Sequence, residues 1–238
     1  MSEREKILAR IREALRIRAP FPGTHGHDDQ HHDHAPSAPR PAATHAREWL
    51  PKVGPTSEER LELFRLQSAD LKTSFHVVAG KVELSAKLCS LRDAAGWKRI
   101  ALHSTPLTSI ARDALGLPAL DVKPGYSVAE LEACDVGITE CDALIAQTGS
   151  LLITTRSAGG RALSVLPPHH LVIARRNQLL PDLPAAFQLI AEKYGSDYPS
   201  FISLVTGPSR TGDIERILVL GAHGPKELTV LLIDDGLI

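Results

Sequence analysis

Residues 136–155 read VGITECDALIAQTGSLLITT, and the fold class can be inferred from them. They contain three short apolar runs rich in Val, Ile and Leu, which are typical of strands buried in a sheet. The polar turn Gln147-Thr148-Gly149-Ser150 separates the second run from the third and predicts a hairpin. The sequence therefore predicts a mixed sheet in this part of the chain.

Helical and strand patterns alternate on either side of these runs. Thr56 and Glu59 have the spacing of a capping box, and Asp182 precedes a second apolar periodic segment, so each marks the start of a helix. Further helices are predicted near residues 82–95, 107–115 and 128–133, and further strands near 74–79, 99–103, 171–174, 201–205 and 228–233. For residues 56–238 the patterns predict a three-layer α/β fold, in which a mixed sheet carries helices on both faces.

The first 55 residues differ in character from the rest. In residues 1–19, Ser2 and Glu5 have capping-box spacing and precede an apolar stripe, which predicts an amphipathic N-terminal helix. Its basic remaining surface is compatible with docking on an acidic partner or a membrane surface, or with simple packing on a protein subunit. Residues 20–55 contain seven prolines and a tract rich in His and Asp at 25–34, which predicts a flexible linker. Because a flexible tract cannot hold metal ligands rigidly, we predict no functional metal site there.

Composition excludes several classes of function. The formal net charge is -1, so nothing favours binding to nucleic acid along a basic face. No uncharged apolar run is long enough to span a membrane, and the N-terminus lacks the pattern of a signal peptide, so we expect a cytoplasmic protein. The three cysteines form no C-x-x-C pair. They predict neither a disulfide framework nor a zinc or iron-sulfur site in this chain, so any redox cofactor is expected on a partner.

The segment TGPSRTGDIE at 206–215 is the main candidate for ligand binding, because ligands bind at the ends of strands in open α/β sheets. It follows a run predicted to be a buried strand. Gly207 permits close approach of the main chain, Thr206, Ser209 and Thr211 supply hydroxyl groups, and Arg210 matches a carboxylate or phosphate. The segment lacks the lysine of a nucleotide-binding P-loop. An anion site and a tight turn that caps a helix both fit the pattern.

Other loops supply further candidates. Histidine is a common general acid or base, so His223 is a candidate catalytic residue with Asp213 and Glu215 as candidate partners, although His223 also fits a turn. Arg161, in a loop that Pro167 and Pro168 stiffen, is a candidate second clamp on an anion, and Gly149 and Ser150 complete the predicted ligand-binding set. His169 and His170 are adjacent on a predicted strand, so they point to opposite faces and cannot ligate one metal. No metal ligand is predicted.

The motifs together resemble the LUD domain family of lactate utilisation proteins, from the N-terminal helix to Asp234, with the His-rich linker in a variable region. The resemblance rests on Gly137-Ile138-Thr139, Gln147-Thr148-Gly149-Ser150, Leu166-Pro167-Pro168-His169, Thr206 to Glu215, and Gly221-Ala222-His223-Gly224-Pro225. It implies a fold similar to that of phosphosugar isomerases, CoA-transferases and formyltetrahydrofolate cyclo-ligases. One departure is Gln147, where the family usually has an acidic residue; this removes a possible general acid or base.

The resemblance also implies a function. Members of this family work with two iron-sulfur subunits in the oxidation of L-lactate to pyruvate, so the clusters are expected on the partners and a small carboxylate or phosphate on this chain. Two alternatives stay open. One is an independent enzyme that acts on a phosphorylated, folate or acyl-CoA substrate, and the other is a non-catalytic assembly subunit that docks through its N-terminal helix.

Overall fold

The computed structural model describes residues 3–14, 49–211, 219–221 and 223–234. The chain divides into two compact units, residues 1–45 and 46–238. In the first unit, Glu3–Ala14 form helix α1, inside the segment for which an amphipathic helix is predicted. The side chains of Ile7, Ile11 and Ala14, which make up most of the predicted apolar stripe, lie outside the described set. Most of the predicted linker lies outside the described residues as well.

The second unit alternates strands and helices. Its strands are β1 (Ser74–Val78), β2 (Ile100–Leu102), β3 (Ala119–Asp121), β4 (Val136–Glu140), β5 (Ala143–Ile145), β6 (Ser150–Thr154), β7 (His169–Arg175), β8 (Leu179–Leu180), β9 (Ile202–Val205), β10 (Arg210–Thr211), β11 (Val219–Leu220) and β12 (Glu227–Ile233). Its helices are α2 (Ser57–Asp70), α3 (Lys81–Ala95), α4 (Pro106–Leu115), α5 (Val128–Glu132), α6 (Thr155–Ala158) and α7 (Leu183–Tyr194), and a 3-10 turn spans Arg176–Gln178. None of the described helices is long and apolar enough to cross a membrane.

Side chains at the helix ends explain several of these boundaries. The capping box predicted at Thr56 and Glu59 is present at the start of α2, and Asp182 caps α7 by accepting the N–H of Ala185. Helix α4 begins with a second box, in which Thr105 and Thr108 satisfy each other's main-chain N–H groups. Such contacts satisfy N–H groups that a helix end leaves without partners.

Two main sheets form where the sequence predicts one. The larger sheet has six parallel strands in the order β1-β12-β7-β4-β2-β3, and a second sheet has the order β8-β5-β6-β9. The hairpin predicted at residues 147–150 is present, because β5 and β6 pair antiparallel with Ala143 opposite Leu152. These two strands are fully buried because their sheet lies between the parallel sheet and α7, so both of its faces are covered.

The layers explain the burial. Helices α3 and α4 pack on one face of the parallel sheet through a core that includes Leu84 and Leu107. The opposite face packs on α2, through Phe64, and on the second sheet, through Leu144 and Leu151. Helix α7 covers the outer face of the second sheet through Ala186 and its neighbours. The α/β class, with helices on both faces of the sheet, is therefore confirmed, and the second sheet is an additional layer.

Candidate functional site

The strand that precedes Thr206 differs from the prediction. Strand β9 is an edge strand of the second sheet, pairs antiparallel with β6, and exposes Ile202 and Leu204 by 38% and 40%. The expectation that the segment from Thr206 follows a buried strand of the main sheet is therefore wrong. The apolar residues at 201–205 do not reveal that β9 is an edge strand. An edge strand in contact with a core on one side can have the same composition as a buried strand.

The segment from Thr206 lies instead beside the amino ends of the parallel strands. The main-chain N–H of Ser209 donates to Pro225 O at 2.9 Å, and that of Lys226 donates to Pro168 O at 2.8 Å. Pro168 immediately precedes β7, and Lys226 immediately precedes β12. The loop from Thr206 therefore reaches the amino edge of the sheet through the loop that holds His223.

The hairpin turn joins the same assembly. The hydroxyl oxygens of Ser150 and Thr206 lie 2.8 Å apart, and Ser150 donates to Thr148. Three of the five motifs that carry the family resemblance are thus joined directly by hydrogen bonds, and a fourth, which contains Pro168, is joined to them through Lys226, the residue after Pro225. We call this set the motif layer; its described residues are 147–150, 166–169, 206–211, 221 and 223–225.

Two glycines hold the motif layer against the end of α2. Gly149 and Gly207 have φ values of +63° and +82°, a region that side chains disfavour. A Cβ on Gly149 would lie 2.8 Å from Cβ of Gln67, and one on Gly207 would lie 2.8 Å from the carbonyl oxygen of Leu71. Both positions therefore need glycine for close approach as well as for their main-chain conformation.

Arg210 is the cation of the motif layer. Its side chain is exposed, and its Nη2 donates to the carbonyl oxygen of Thr206 at 3.2 Å. Among the described residues, no carboxylate lies within ion-pair distance of it. Arg210 and Thr211 form β10, which pairs antiparallel with β11. The guanidinium group is therefore placed where a small anion from solvent can reach it.

Of the three residues predicted to act as acid-base catalysts, the structure describes only His223. His223 is exposed, and its neighbour Gly224 lies against Ser209, since a Cβ on Gly224 would be 3.2 Å from that of Ser209. His223 therefore belongs to the loop that contacts the segment from Thr206. Asp213 and Glu215 lie outside the described residues, so their pairing with His223 stays a prediction.

Arg161 does not lie beside Arg210. Its Nη2 donates to Ser200 O at 3.0 Å, and its guanidinium lies over the ring of Phe201, 5.7 Å from the centroid. Phe201 and Thr206 flank β9 at its two ends, which a strand rise places about 16 Å apart. The structure thus brings together Gly149, Ser150 and the described residues of the segment from Thr206, and it places Arg161 elsewhere.

His169 and His170 face opposite sides of β7, as predicted. His169 Nε2 lies 2.8 Å from Thr229 Oγ1, and His170 Nε2 lies 2.9 Å from Thr139 Oγ1. Burial lowers the pKa of both imidazoles, and the pKa of His170 falls to about 3. Both residues are therefore neutral core histidines at neutral pH. Across the ranges that the structure describes, no group of three or more His, Cys, Asp or Glu side chains could hold a metal ion.

The carboxyl edge of the parallel sheet carries polar residues that the sequence analysis did not select. The chain leaves β2 and β4 toward opposite faces of the sheet, which is the position where open α/β sheets bind ligands. His103 follows β2 there and packs against Gly159. Glu140 ends β4 and accepts hydrogen bonds from the Thr105 hydroxyl and from the N–H of Leu107 at the start of α4. In the sequence, these two residues could have been selected because each is a polar residue directly after an apolar run.

A buried carboxylate lies just beyond Glu140. Asp142 Oδ1 accepts hydrogen bonds from Tyr194 Oη at 2.5 Å and Lys193 Nζ at 2.6 Å. Burial by itself would raise the pKa of Asp142, but hydrogen bonding, first from Lys193 and Tyr194 and then from Ser157 and Thr154, outweighs it, and the pKa is lowered. The carboxylate therefore stays charged and ties the start of β5 to the end of α7.

Gln147, the departure from the family pattern, makes a contact that an acid could not make. Its Nε2 donates to Pro51 O at 3.0 Å, and this bond fixes the segment that precedes α2. A cavity of about 410 Å³ lies beside it, lined by Leu50, Val53, Gln147, Asp182, Leu183 and Pro184. The amide is thus a structural donor in this chain.

Comparison with known proteins identifies relatives. Residues 126–233 match the LUD domain family model. A lactate utilization protein C from Geobacillus sp. (strain WCH70) is 28% identical over 218 residues, which cover 86% of this chain and 90% of the relative. Lactate utilization protein C 1 of Bacillus mycoides (strain KBAB4) is 35% identical over 106 residues, 44% of this chain and 45% of the relative. A crystal structure of a DUF162 family protein from Deinococcus radiodurans has a TM-score of 0.58 at 22% identity and covers 75% of this chain and 98% of that one; it supports the fold.

Proposed function

We propose, from the premise that this chain belongs to the LUD domain family, that it acts in lactate utilisation as a subunit of an L-lactate oxidation system. The relatives named lactate utilization protein C, one of which aligns over 86% of this chain, support the pathway. In this proposal the chain binds a small carboxylate, and two partner subunits carry the iron-sulfur clusters.

The observation that carries the ligand assignment is the convergence of the motif layer around an exposed arginine. Arg210 presents a planar set of donors that matches a carboxylate in two parallel hydrogen bonds. The neighbouring Ser209 and Thr206 supply hydroxyl groups within the same loop. L-lactate and pyruvate are small monocarboxylates, and both fit this chemistry.

The cysteines of this chain support placing the clusters on partners. Burial raises the pKa of Cys134 and of Cys141, and nearby carboxylates raise the pKa of Cys141 further. Cluster ligands are thiolates. These two thiols are therefore poor ligands, whereas a partner subunit with its own cysteine motif can supply the electron acceptor that oxidation of lactate requires.

Calorimetric titration of the purified protein with L-lactate and with pyruvate tests the ligand assignment. We expect Arg210→Ala to weaken carboxylate binding at least about tenfold, because a charge-assisted pair is lost. Arg161→Ala is the matched control, since this arginine lies at the other end of β9, and it should bind as the wild type does. Equal weakening by both variants, or binding of acyl-CoA or folate compounds in place of the two carboxylates, would contradict the assignment.

Growth tests the pathway separately. A strain that lacks this gene and has no second copy should fail to grow on L-lactate as sole carbon source, and the wild-type gene should restore growth. Undiminished growth of the deletion strain would refute the role in lactate utilisation, whatever the calorimetry shows.

A further inference from the structure

A cavity at the amino edge of the parallel sheet lies outside the motif layer's arginine site. It has a volume of about 270 Å³ and lies between the end of α3 and the first residues of β1, β7 and β12. Its lining combines apolar and polar side chains: Leu91, Ala94 and Ala95 on α3, and Ser74, His169, Glu227 and Thr229 on the strands. This volume suits a ligand of a few heavy atoms.

The polar side of the cavity is a connected row. Thr229 Oγ1 lies 2.8 Å from His169 Nε2, and His169 Nδ1 lies 3.5 Å from Glu227 Oε2. The Trp97 ring and the imidazole pack edge to face, with their centroids 5.1 Å apart. The His169 side chain is only 8% exposed, whereas that of Glu227 is 69% exposed. The row therefore runs from a buried imidazole to a carboxylate at the mouth of the cavity.

The row of polar side chains presents hydrogen-bond acceptors to the cavity. We assign the ring hydrogen of His169 to Nδ1, because the ionised Glu227 carboxylate 3.5 Å away can only accept. Nε2 of the neutral imidazole then accepts the hydroxyl hydrogen of Thr229, and the lone pairs left on Thr229 Oγ1 are acceptors. Ser74, opposite Thr229 in the pairing of β1 and β12, has its hydroxyl 3.0 Å from His76 Nε2.

The helix side reinforces this polarity. Ala94 and Ala95 belong to the last turn of α3, where carbonyl groups lack helical partners and the helix dipole is negative. Two basic residues nearby make contacts of their own: Arg92 pairs with Asp93 and donates to Leu115 O, and the Lys226 stem packs on Gly221. The cavity thus has a negative mouth and an apolar wall.

We infer that this cavity binds a small alkylammonium group. The ammonium donates to Glu227 and to Thr229 Oγ1, and the alkyl chain contacts Leu91, Ala94 and Ala95. This site is independent of the carboxylate site proposed for Arg210, because it uses different residues and a ligand of opposite charge.

Calorimetric titration of the full chain with n-propylammonium chloride, n-propanol and sodium propionate tests the site. We expect propylammonium to bind at least about tenfold more tightly than the other two compounds, because only it supplies a charge-assisted donor. Equal binding of propanol or propionate, or no binding of propylammonium, would overturn the inference.

Two variants locate the binding. Glu227→Gln should raise the dissociation constant of propylammonium about tenfold, while Glu132→Gln, at an exposed glutamate on α5, should leave it unchanged. Ala95→Leu fills the cavity from an exposed helix position with a good helix former, so the protein should stay folded by circular dichroism and lose binding. Unchanged binding in either Glu227→Gln or Ala95→Leu would show that the ligand binds elsewhere.

Discussion

Asp142 shows how a single buried charge can be kept in this fold. Its side chain is 1% exposed, whereas that of Lys193 is 49% exposed, so the partner cation retains part of its hydration. A buried charge is costly unless it is paired and hydrogen-bonded, and the two donors at Oδ1 meet that requirement. Asp142 Oδ2 has no hydrogen-bond partner among the described residues, so the stabilisation depends on Lys193 and Tyr194.

The lowered pKa of Asp142 predicts a pH dependence of stability. Its folded pKa lies below the ordinary aspartate value of 3.8, so its contribution to stability is complete above about that pH and is lost as the pH falls through the folded pKa. We expect Asp142→Asn to lower the free energy of unfolding at pH 7 by about 2 kcal/mol, through loss of charge-assisted bonds. Urea unfolding at pH 7 and at decreasing pH checks this. The difference between the two proteins should narrow below pH 3.8, and a constant difference would contradict the assignment.

Gln147 gives a second prediction at this scale. The bond from its Nε2 to Pro51 O requires a donor, and a carboxylate at this position would face a carbonyl oxygen without one. We expect Gln147→Glu to increase amide hydrogen exchange in residues 49–53, while exchange in the buried strand β6 stays as in the wild type. Gln188→Glu, on the exposed side of α7, is the control. Unchanged exchange at 49–53 would show that the amide does not hold this segment.

Among the elements, helices and strands differ in how far the sequence predicts them. The helix starts at Thr56 and Asp182 were predictable because capping is a local interaction between residues that are close in sequence. The division of the strands between two sheets could not be predicted, because β9 and a buried strand share an apolar composition and differ only in the strands that they pair with. The position of the loop from Thr206 was therefore also missed, and the role of its residues in ligand binding stays a prediction. Arg161 was placed wrongly beside them for the same reason: the geometry of β9 separates it from Arg210.

The contact between the motif layer and α2 leads to a prediction about Gly207. Alanine at this position combines an unfavourable φ with a Cβ placed 2.8 Å from Leu71 O. Gly125 is a matched control, because its φ is +90° and a Cβ there meets nothing within 4 Å. We expect Gly125→Ala to cost about 1 kcal/mol from backbone strain and Gly207→Ala to cost more, with faster hydrogen exchange at the end of α2. Urea unfolding measures both, and equal costs would mean that the close approach contributes nothing.

At the scale of the whole molecule, the two edges of the parallel sheet carry different chemistry. The amino edge holds the motif layer with Arg210 and, between α3 and the strands, the acceptor-lined cavity at Glu227. The carboxyl edge holds His103 and Glu140, with Glu140 already engaged at the start of α4. A carboxylate that accepts helix N–H groups occupies the place where an anion would bind. The amino edge is therefore the side of the molecule on which we place the carboxylate ligand.

The division of the chain into two units leads to the last prediction. All four described hydrophobic clusters draw their residues from positions 61–233, inside the unit of residues 46–238. Because the apolar burial that stabilises a fold is contained there, we expect removal of residues 1–45 to leave a single cooperative thermal transition, with a midpoint within about 3 °C of the full chain. Carboxylate binding measured by calorimetry should also be retained. Scanning calorimetry of the two proteins decides the matter: a midpoint lowered by about 10 °C or more, or a broad transition without cooperativity, would show that the N-terminal unit is part of the folding core.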